Sequence, residues 1–69
     1  MKKLVFLIKE NEEAPKVIEF ITDRTPEWTI EQYSRNRLPL TMELIRNEET
    51  EEKEPLSREV DLGLYDVVG

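Results

Sequence analysis

A chain of 69 residues with 16 acidic and 10 basic side chains carries a formal net charge of −6, and it contains neither cysteine nor histidine. The missing residue types exclude disulfides, thiol redox chemistry, cysteine-based metal sites and the commonest general base. The negative charge argues against sequence-independent binding to nucleic acid, and the length predicts one small domain over residues 1–69.

The first predicted element is a strand. Leu4 to Ile8 form a continuous apolar run with lysines before it and a lysine after it. The run is too short for the apolar part of a signal peptide or for a membrane span. We therefore expect a strand covered on both faces, in a cytoplasmic protein that does not enter the membrane.

The next segment predicts a helix from residue 11 to about residue 24. Asn11 is a suitable N-cap, Pro15 fits within a first turn, and the residue before Pro26 disfavours helical backbone and ends the helix. One apolar face follows from the i, i+3, i+4, i+7 spacing of Ala14, Val17, Ile18 and Ile21.

Residues 28–37, WTIEQYSRNR, have two interpretations. The β-branched and aromatic residues and the partial alternation favour a second strand, which is the preferred prediction. The alternative is a helix that begins at Thr25-Pro26-Glu27, a good N-cap and first-turn signal. In that helix Ile30, Tyr33 and Arg37 would share one side.

The second half predicts two more strands. Leu38, Leu40, Met42 and Leu44 alternate with more polar residues, and Val60, Leu62 and Leu64 repeat this period of two. Residues 47–56 lie between them and include EETEEKE, five glutamates and one lysine in seven positions. We expect these residues to form a mobile acidic hairpin loop that Pro55 terminates.

Together the elements predict an α+β fold, with one helix packed on a mixed sheet of about four strands in the order β-α-β-β-β. With Leu38-Pro39-Leu40-Thr41 as a proline turn before the third strand, this order resembles a thioredoxin-like domain without its middle helix. Glu12-Glu13-Ala14-Pro15 stands where that family has its CxxC motif. The resemblance therefore implies a fold but no redox chemistry.

Catalytic and metal-binding motifs are missing. A calcium loop of the usual kind needs alternating Asp or Asn and a glycine, and the glutamate run has none of these. No histidine could activate Ser34 or Ser57, and two glycines are too few for a phosphate-binding loop. We expect a protein that is not an enzyme and has no cofactor and no metal.

Two groups of residues suggest contact with another protein. Trp, Tyr and Arg are enriched at energetically important interface positions, and a dense run of carboxylates suits a basic partner. The candidate partner-binding residues are Trp28, Tyr33, Arg35, Arg37, Glu48, Glu49, Glu51, Glu52 and Glu54. These residues predict a small acidic interaction module that acts as an inhibitor, adaptor or regulator. One alternative is a homodimerising structural domain that pairs through an open sheet face or a strand over residues 60–68, and another is an inhibitor that mimics nucleic acid.

Overall fold

The structure, a computed structural model, describes residues 1–35, 37 and 39–65. This part of the chain forms four strands, one α-helix and a short 3₁₀ turn over Leu62–Leu64. In chain order these are β1 (Lys2–Glu10), β2 (Lys16–Thr22), α1 (Pro26–Ser34), β3 (Leu40–Glu49) and β4 (Leu56–Val60). The predicted class, one helix packed on a four-stranded sheet, is confirmed.

The sheet has the strand order β3-β1-β2-β4, and all neighbouring strands are antiparallel. It is therefore not the mixed sheet that the sequence predicted. A right-handed crossover would be required only if two neighbouring strands were parallel, and here a short turn joins β1 directly to β2. The predicted similarity to a thioredoxin-like domain depended on a helix after the first strand and does not hold.

The central position of β1 confirms the first prediction. Leu4, Val5, Phe6 and Ile8 are all completely buried, although successive side chains of a strand point to opposite faces. One face, called here the helix face, packs against α1. The other, called the second face, carries Val5 and, through pairing with β2, Glu19.

The predicted helix over residues 11–24 is wrong. Asn11 adopts a left-handed backbone conformation with φ of 49°, which asparagine tolerates better than most residues, and the Glu13 amide donates to the Glu10 carbonyl at 2.9 Å. A tight turn results, and β2 follows it. Val17, Ile18 and Ile21 have helical spacing, but they also suit a strand whose two faces are both covered.

The preferred prediction of a strand over residues 28–37 is also wrong. Helix α1 covers Pro26–Ser34, so the alternative interpretation is right. Thr25 is the N-cap: its hydroxyl accepts a hydrogen bond from the Trp28 amide at 3.1 Å. Pro26 occupies the first helical turn, where its missing N–H costs nothing. Local capping therefore decides between helix and strand. Asn36 lies outside the described residues.

Replacement of the N-cap should weaken this helix measurably. Thr25→Ala is expected to lower the free energy of unfolding by about 1 kcal/mol, because the Trp28 amide loses its acceptor. Thr25→Ser keeps a hydroxyl at the same place and should retain most of that stability. Urea denaturation of both variants measures the difference, and equal losses in the two would show that the cap contributes nothing.

The hairpin predicted between the third and fourth strands is wrong. β3 and β4 lie at opposite edges of the sheet, so the residues between them cross one end of the sheet. β3 begins and ends later than predicted, and Val60 ends β4 instead of starting a strand. Leu62 and Leu64 belong to the 3₁₀ turn. Leu38 of the predicted third strand and residues 66–68 of the predicted 60–68 strand lie outside the described residues.

The helix covers only part of the helix face. Ile30 and Tyr33 of α1 pack on the cluster formed by Leu4, Phe6, Ile8 and Ile18, together with Phe20, Leu40 and Met42. Since Leu40 and Met42 belong to β3, α1 lies toward the β3 side of the sheet. The β2 and β4 side of the same face is left beside the helix without a second helix to cover it in the described part of the chain. None of the helical segments there is long and apolar enough to cross a membrane.

Candidate functional site

A groove of about 560 Å³ lies where α1 leaves the sheet uncovered. We call it the α1–β4 groove. Its walls come from the end of β2 and the turn after it, from one side of α1, and from the start of β4. They comprise residues 20–24, Trp28, Thr29, Gln32, Tyr33, Pro55, Leu56 and Ser57. The volume falls in the range of sites that bind small molecules or anchor side chains of a larger partner.

Aromatic rings connect the floor of the groove to the core. The rings of Phe6 and Phe20 meet edge to face with centroids 5.8 Å apart, and Phe20 meets Tyr33 in the same way at 5.7 Å. Such pairs hold each other in fixed orientations and add to the stability gained by burial. The floor is therefore a continuation of the packed core, and its shape does not depend on exposed side chains.

Trp28 forms the exposed wall of the groove. Its side chain remains 42% exposed, unusual for the residue with the largest apolar area in the chain. The Arg24 guanidinium lies over its ring, 5.1 Å from the centroid, and the exposed carboxylate of Asp23 is 3.7 Å from that arginine. The cap at Thr25 sets where α1 begins and so places Trp28 beside β2.

The acidic segment, residues 48–54, lies at the same end of the sheet as the groove mouth. Glu48 and Glu49 are the last residues of β3 and pair in register with Lys3 and Lys2. The Thr50 amide then donates to the Met1 carbonyl at 3.0 Å, and the chain crosses to Pro55 in the groove wall. All five glutamates are exposed. Only Glu48 makes an ion pair within the described part of the chain, at 3.7 Å from Lys3.

The structure brings some of the predicted site residues together and separates others. Trp28 and Tyr33 both line the groove. Arg35 and Arg37 lie outside it, past the C-terminal end of α1. Arg35 pairs with Glu31 at 3.7 Å, and the guanidinium of Arg37 lies 4.2 Å above the Tyr33 ring.

Several groove residues were missed by the sequence reasoning. Arg24, Gln32 and Leu56 line the groove, but none belongs to a motif. Leu56 reaches it only because the chain crosses the sheet, a feature of topology that no local pattern reveals. A signal did exist for α1 itself, since Thr25-Pro26-Glu27 marks a helix start and thereby predicts which residues share a side.

A second cluster lies on the opposite face of the sheet, around Glu19. Its side chain is almost entirely buried, at 2% exposure. Its Oε1 accepts from Arg58 Nη2 at 2.7 Å and from Arg58 Nε at 3.1 Å, and its Oε2 accepts from the Tyr65 hydroxyl at 2.8 Å. The Lys3 ammonium lies 3.9 Å from Oε2. The cluster ties β4 and the 3₁₀ turn region to β2.

The protonation of this cluster follows from its geometry. Burial by itself would raise the pKa of Glu19, but the hydrogen bonds from Tyr65 and Arg58 and the charges of Arg58 and Lys3 outweigh it, so the pKa lies below its ordinary value. The pKa of Tyr65 is raised, first by burial and then by its hydrogen bond to Glu19. A hydrogen-bonded carboxylate whose pKa is lowered stays ionised near neutral pH, which suits a structural role better than proton transfer.

In the described residues, no group of three or more acidic side chains is arranged to hold a metal ion.

No protein-family model matches the chain, and neither the curated proteins nor the solved structures include a significant match. The α1–β4 groove and the acidic segment beside it are therefore the features on which a functional proposal rests.

Proposed function

We propose that the protein is a small non-catalytic interaction module that binds a protein partner through the α1–β4 groove. The observation that carries the proposal is the groove itself, with Trp28 exposed at its wall and aromatic rings in its floor. Tryptophan and tyrosine in a shaped depression are typical of interface positions that contribute most of the binding energy. An inhibitor, adaptor or regulator would work through such a surface without any chemistry of its own.

The chemistry of the partner follows from charge. The protein carries a net charge of −6, and the acidic segment is followed directly by Pro55, which lines the groove. Basic residues on the partner would contact the carboxylates of the acidic segment while a neighbouring apolar side chain of the partner entered the groove. Complementary charge speeds encounter and disfavours acidic competitors, so we propose a basic partner.

Removal of the groove wall should abolish capture of this partner. With the tagged protein as bait in a lysate of its source cell, wild type is expected to retain one protein in stoichiometric amount. Trp28→Ala and Gln32→Trp should both lose it, the first by removing the wall and the second by filling the groove. Leu64→Ser changes an exposed leucine outside the groove, at 69% exposure, and should retain the partner.

The readout is quantitative mass spectrometry of the retained proteins, after circular dichroism has shown that each variant is folded. Loss of one side chain of this importance typically weakens binding by about 2 kcal/mol or more, roughly thirtyfold. The proposal is refuted by a partner that all three variants retain equally, and by wild type retaining none.

The two alternatives drawn from the sequence remain predictions. A mimic of nucleic acid should lose affinity for a basic target steeply between low and physiological salt, because its carboxylates would lie at the interface in water. A homodimerising domain should show twice the monomer mass by light scattering. A mimic that acts through its carboxylates and a dimer that pairs through residues 60–68 do not use the groove, so the Trp28→Ala variant should leave both properties unchanged, whereas a dimer through the open sheet face should be weakened by it.

A further inference from the structure

The two edge strands of the sheet differ in how well they resist pairing with another strand. Within the described residues, β3 and β4 each have one neighbour, β1 and β2 respectively. An edge strand presents a row of unpaired backbone N–H and C=O groups and can accept a further strand. Proteins block this reaction with bulges, charged side chains or prolines on the edge.

The edge of β3 carries these protections. Its register with β1 shifts between Val5 and Phe6, which marks an irregularity where Ile45 is the extra residue. Charged side chains occupy much of its length, at Glu43, Arg46, Glu48 and Glu49. A bulge twists an edge away from a straight partner, so β3 is a poor acceptor for another strand.

The edge of β4 has no bulge and no proline within it, and only one of its two charged side chains, Glu59, lies on the helix face. Its pairing with β2 runs without a shift from Leu56 to Val60, and Pro55 stands before the strand, not in it. Of its two charged side chains, Arg58 is turned to the second face, where it is held by Glu19. The helix face of β4 then presents Ser57 and Glu59, which lie opposite Phe20 and Ile18.

The α1–β4 groove opens beside this edge. Leu56 and Ser57 belong to both the strand and the groove wall. Alternate side chains of a strand added to β4 would therefore point to the helix face, where the small side chain of Ser57 leaves space toward Trp28. The backbone edge and the apolar groove are arranged so that one extended segment could use both.

The charges around this edge select the kind of segment. Glu51, Glu52 and Glu54 come directly before β4, and Glu59 lies on its helix face. Against them stand Lys53, Arg24 and the N-terminal ammonium, which lies 3.5 Å from the Glu52 carbonyl oxygen. Arg24 is already engaged with Asp23. A segment that carries lysine or arginine beside an apolar anchor would be favoured over an acidic one.

We propose that the partner supplies an extended segment bearing lysine or arginine, which pairs with the edge of β4 as a fifth strand and places an apolar side chain in the α1–β4 groove. This inference rests on the proposed function and specifies its binding mode. It commits to backbone pairing, which an apolar contact alone would not require.

The probe is a displayed library of random peptides about ten residues long, the length of a long strand, selected on the immobilised protein. Selected sequences are expected to be enriched in lysine or arginine alternating with apolar residues. Amide chemical shifts on binding should change for residues 56–60 more than for residues 40–49. Methylation of single backbone nitrogens at alternate positions of the best peptide should weaken binding by about tenfold, whereas the positions between them should tolerate it.

Matched charge variants test the preference for a basic segment. Glu51→Gln with Glu52→Gln should weaken binding of the best peptide severalfold at low salt. Glu12→Gln with Glu13→Gln makes the same change of charge in the β1–β2 turn, at the opposite end of the sheet, and should leave the affinity unchanged. Equal affinities for both variants would overturn the charge assignment.

The outcomes separate the two proposals. Peptides whose binding requires Trp28 but tolerates methylation at every nitrogen would overturn strand addition and leave the groove as the binding site. A selection that yields only peptides indifferent to Trp28→Ala, or none, would overturn both. Alternating sensitivity to methylation with shifts confined to β3 would overturn the choice of β4.

Discussion

The Phe6→Ala variant is expected to lose about 3 to 5 kcal/mol of its free energy of unfolding, most of what a chain of this length has. Phe6 is completely buried in the central strand and packs with Leu4, Ile8 and Ile18. Its ring also supports Phe20 edge to face, so the change removes a contact beneath the groove. No disulfide compensates for the cavity, because the chain has no cysteine.

Urea denaturation followed by circular dichroism measures this loss. Leu64→Ala is the control, since it truncates an exposed apolar side chain to the same methyl group and should change the stability by less than about 0.5 kcal/mol. A Phe6→Ala variant with the same unfolding midpoint as wild type would contradict the packing of the helix face described above.

The Glu19→Gln variant is expected to lose about 1 to 3 kcal/mol of stability at neutral pH, because a neutral amide replaces a carboxylate that accepts bonds from Arg58 and Tyr65. The loss is moderated since the Arg58 side chain is 59% exposed and can be hydrated when the carboxylate is absent. Without such hydration, the Arg58 guanidinium and the Tyr65 hydroxyl would each lose an acceptor on the second face that nothing replaces.

The pH dependence identifies the charge as the cause. The pKa of Glu19 is lowered in the folded protein from its ordinary value of 4.5, so its contribution to stability is fully present above that value and is lost as the pH falls through the folded pKa. The difference in stability between wild type and Glu19→Gln should therefore shrink on acidification. A constant difference from pH 7 to below the folded pKa would show that the carboxylate charge contributes nothing.

Part of the fold was predictable because the residues of some segments are compatible with only one type of secondary structure. Leu4 to Ile8 is too apolar for a surface and too short for a buried helix, so a central strand follows from the residues alone. The segment from Ala14 to Ile21 was predicted to be helical and is not. Its apolar residues suit either a helix with one buried side or a strand with two buried faces. Only the burial of the second face by distant parts of the chain decides between them.

Glu19 shows why the second face was not foreseen. A glutamate in a row of apolar residues indicates the solvent side of a helix, and the predicted helix over residues 11–24 would place Glu19 opposite that helix's apolar face. Its burial depends on Arg58 and Tyr65, which are 39 and 46 residues away in the chain. Long-range pairing of this kind produces no periodic pattern in the local sequence. The same holds for the crossing of residues 50–55 at one end of the sheet.

The candidate site was predictable only as residue types. Trp28 and Tyr33 were selected because such side chains are common at interfaces, and both line the groove. Arg35 and Arg37 were selected on the same ground but lie beyond the end of α1, since the groove faces β4 and not the chain that follows the helix. Their part in partner binding remains a prediction.

The central claim, that the α1–β4 groove is the surface that meets a partner, is tested most directly by photo-crosslinking in the source cell. A photoreactive amino acid is placed at Gln32 in the groove, or at Glu43 on β3 as the matched exposed control. The account predicts that position 32 gives one defined adduct with another protein and that position 43 does not. Adducts of equal yield from both positions, or none from position 32, would contradict it.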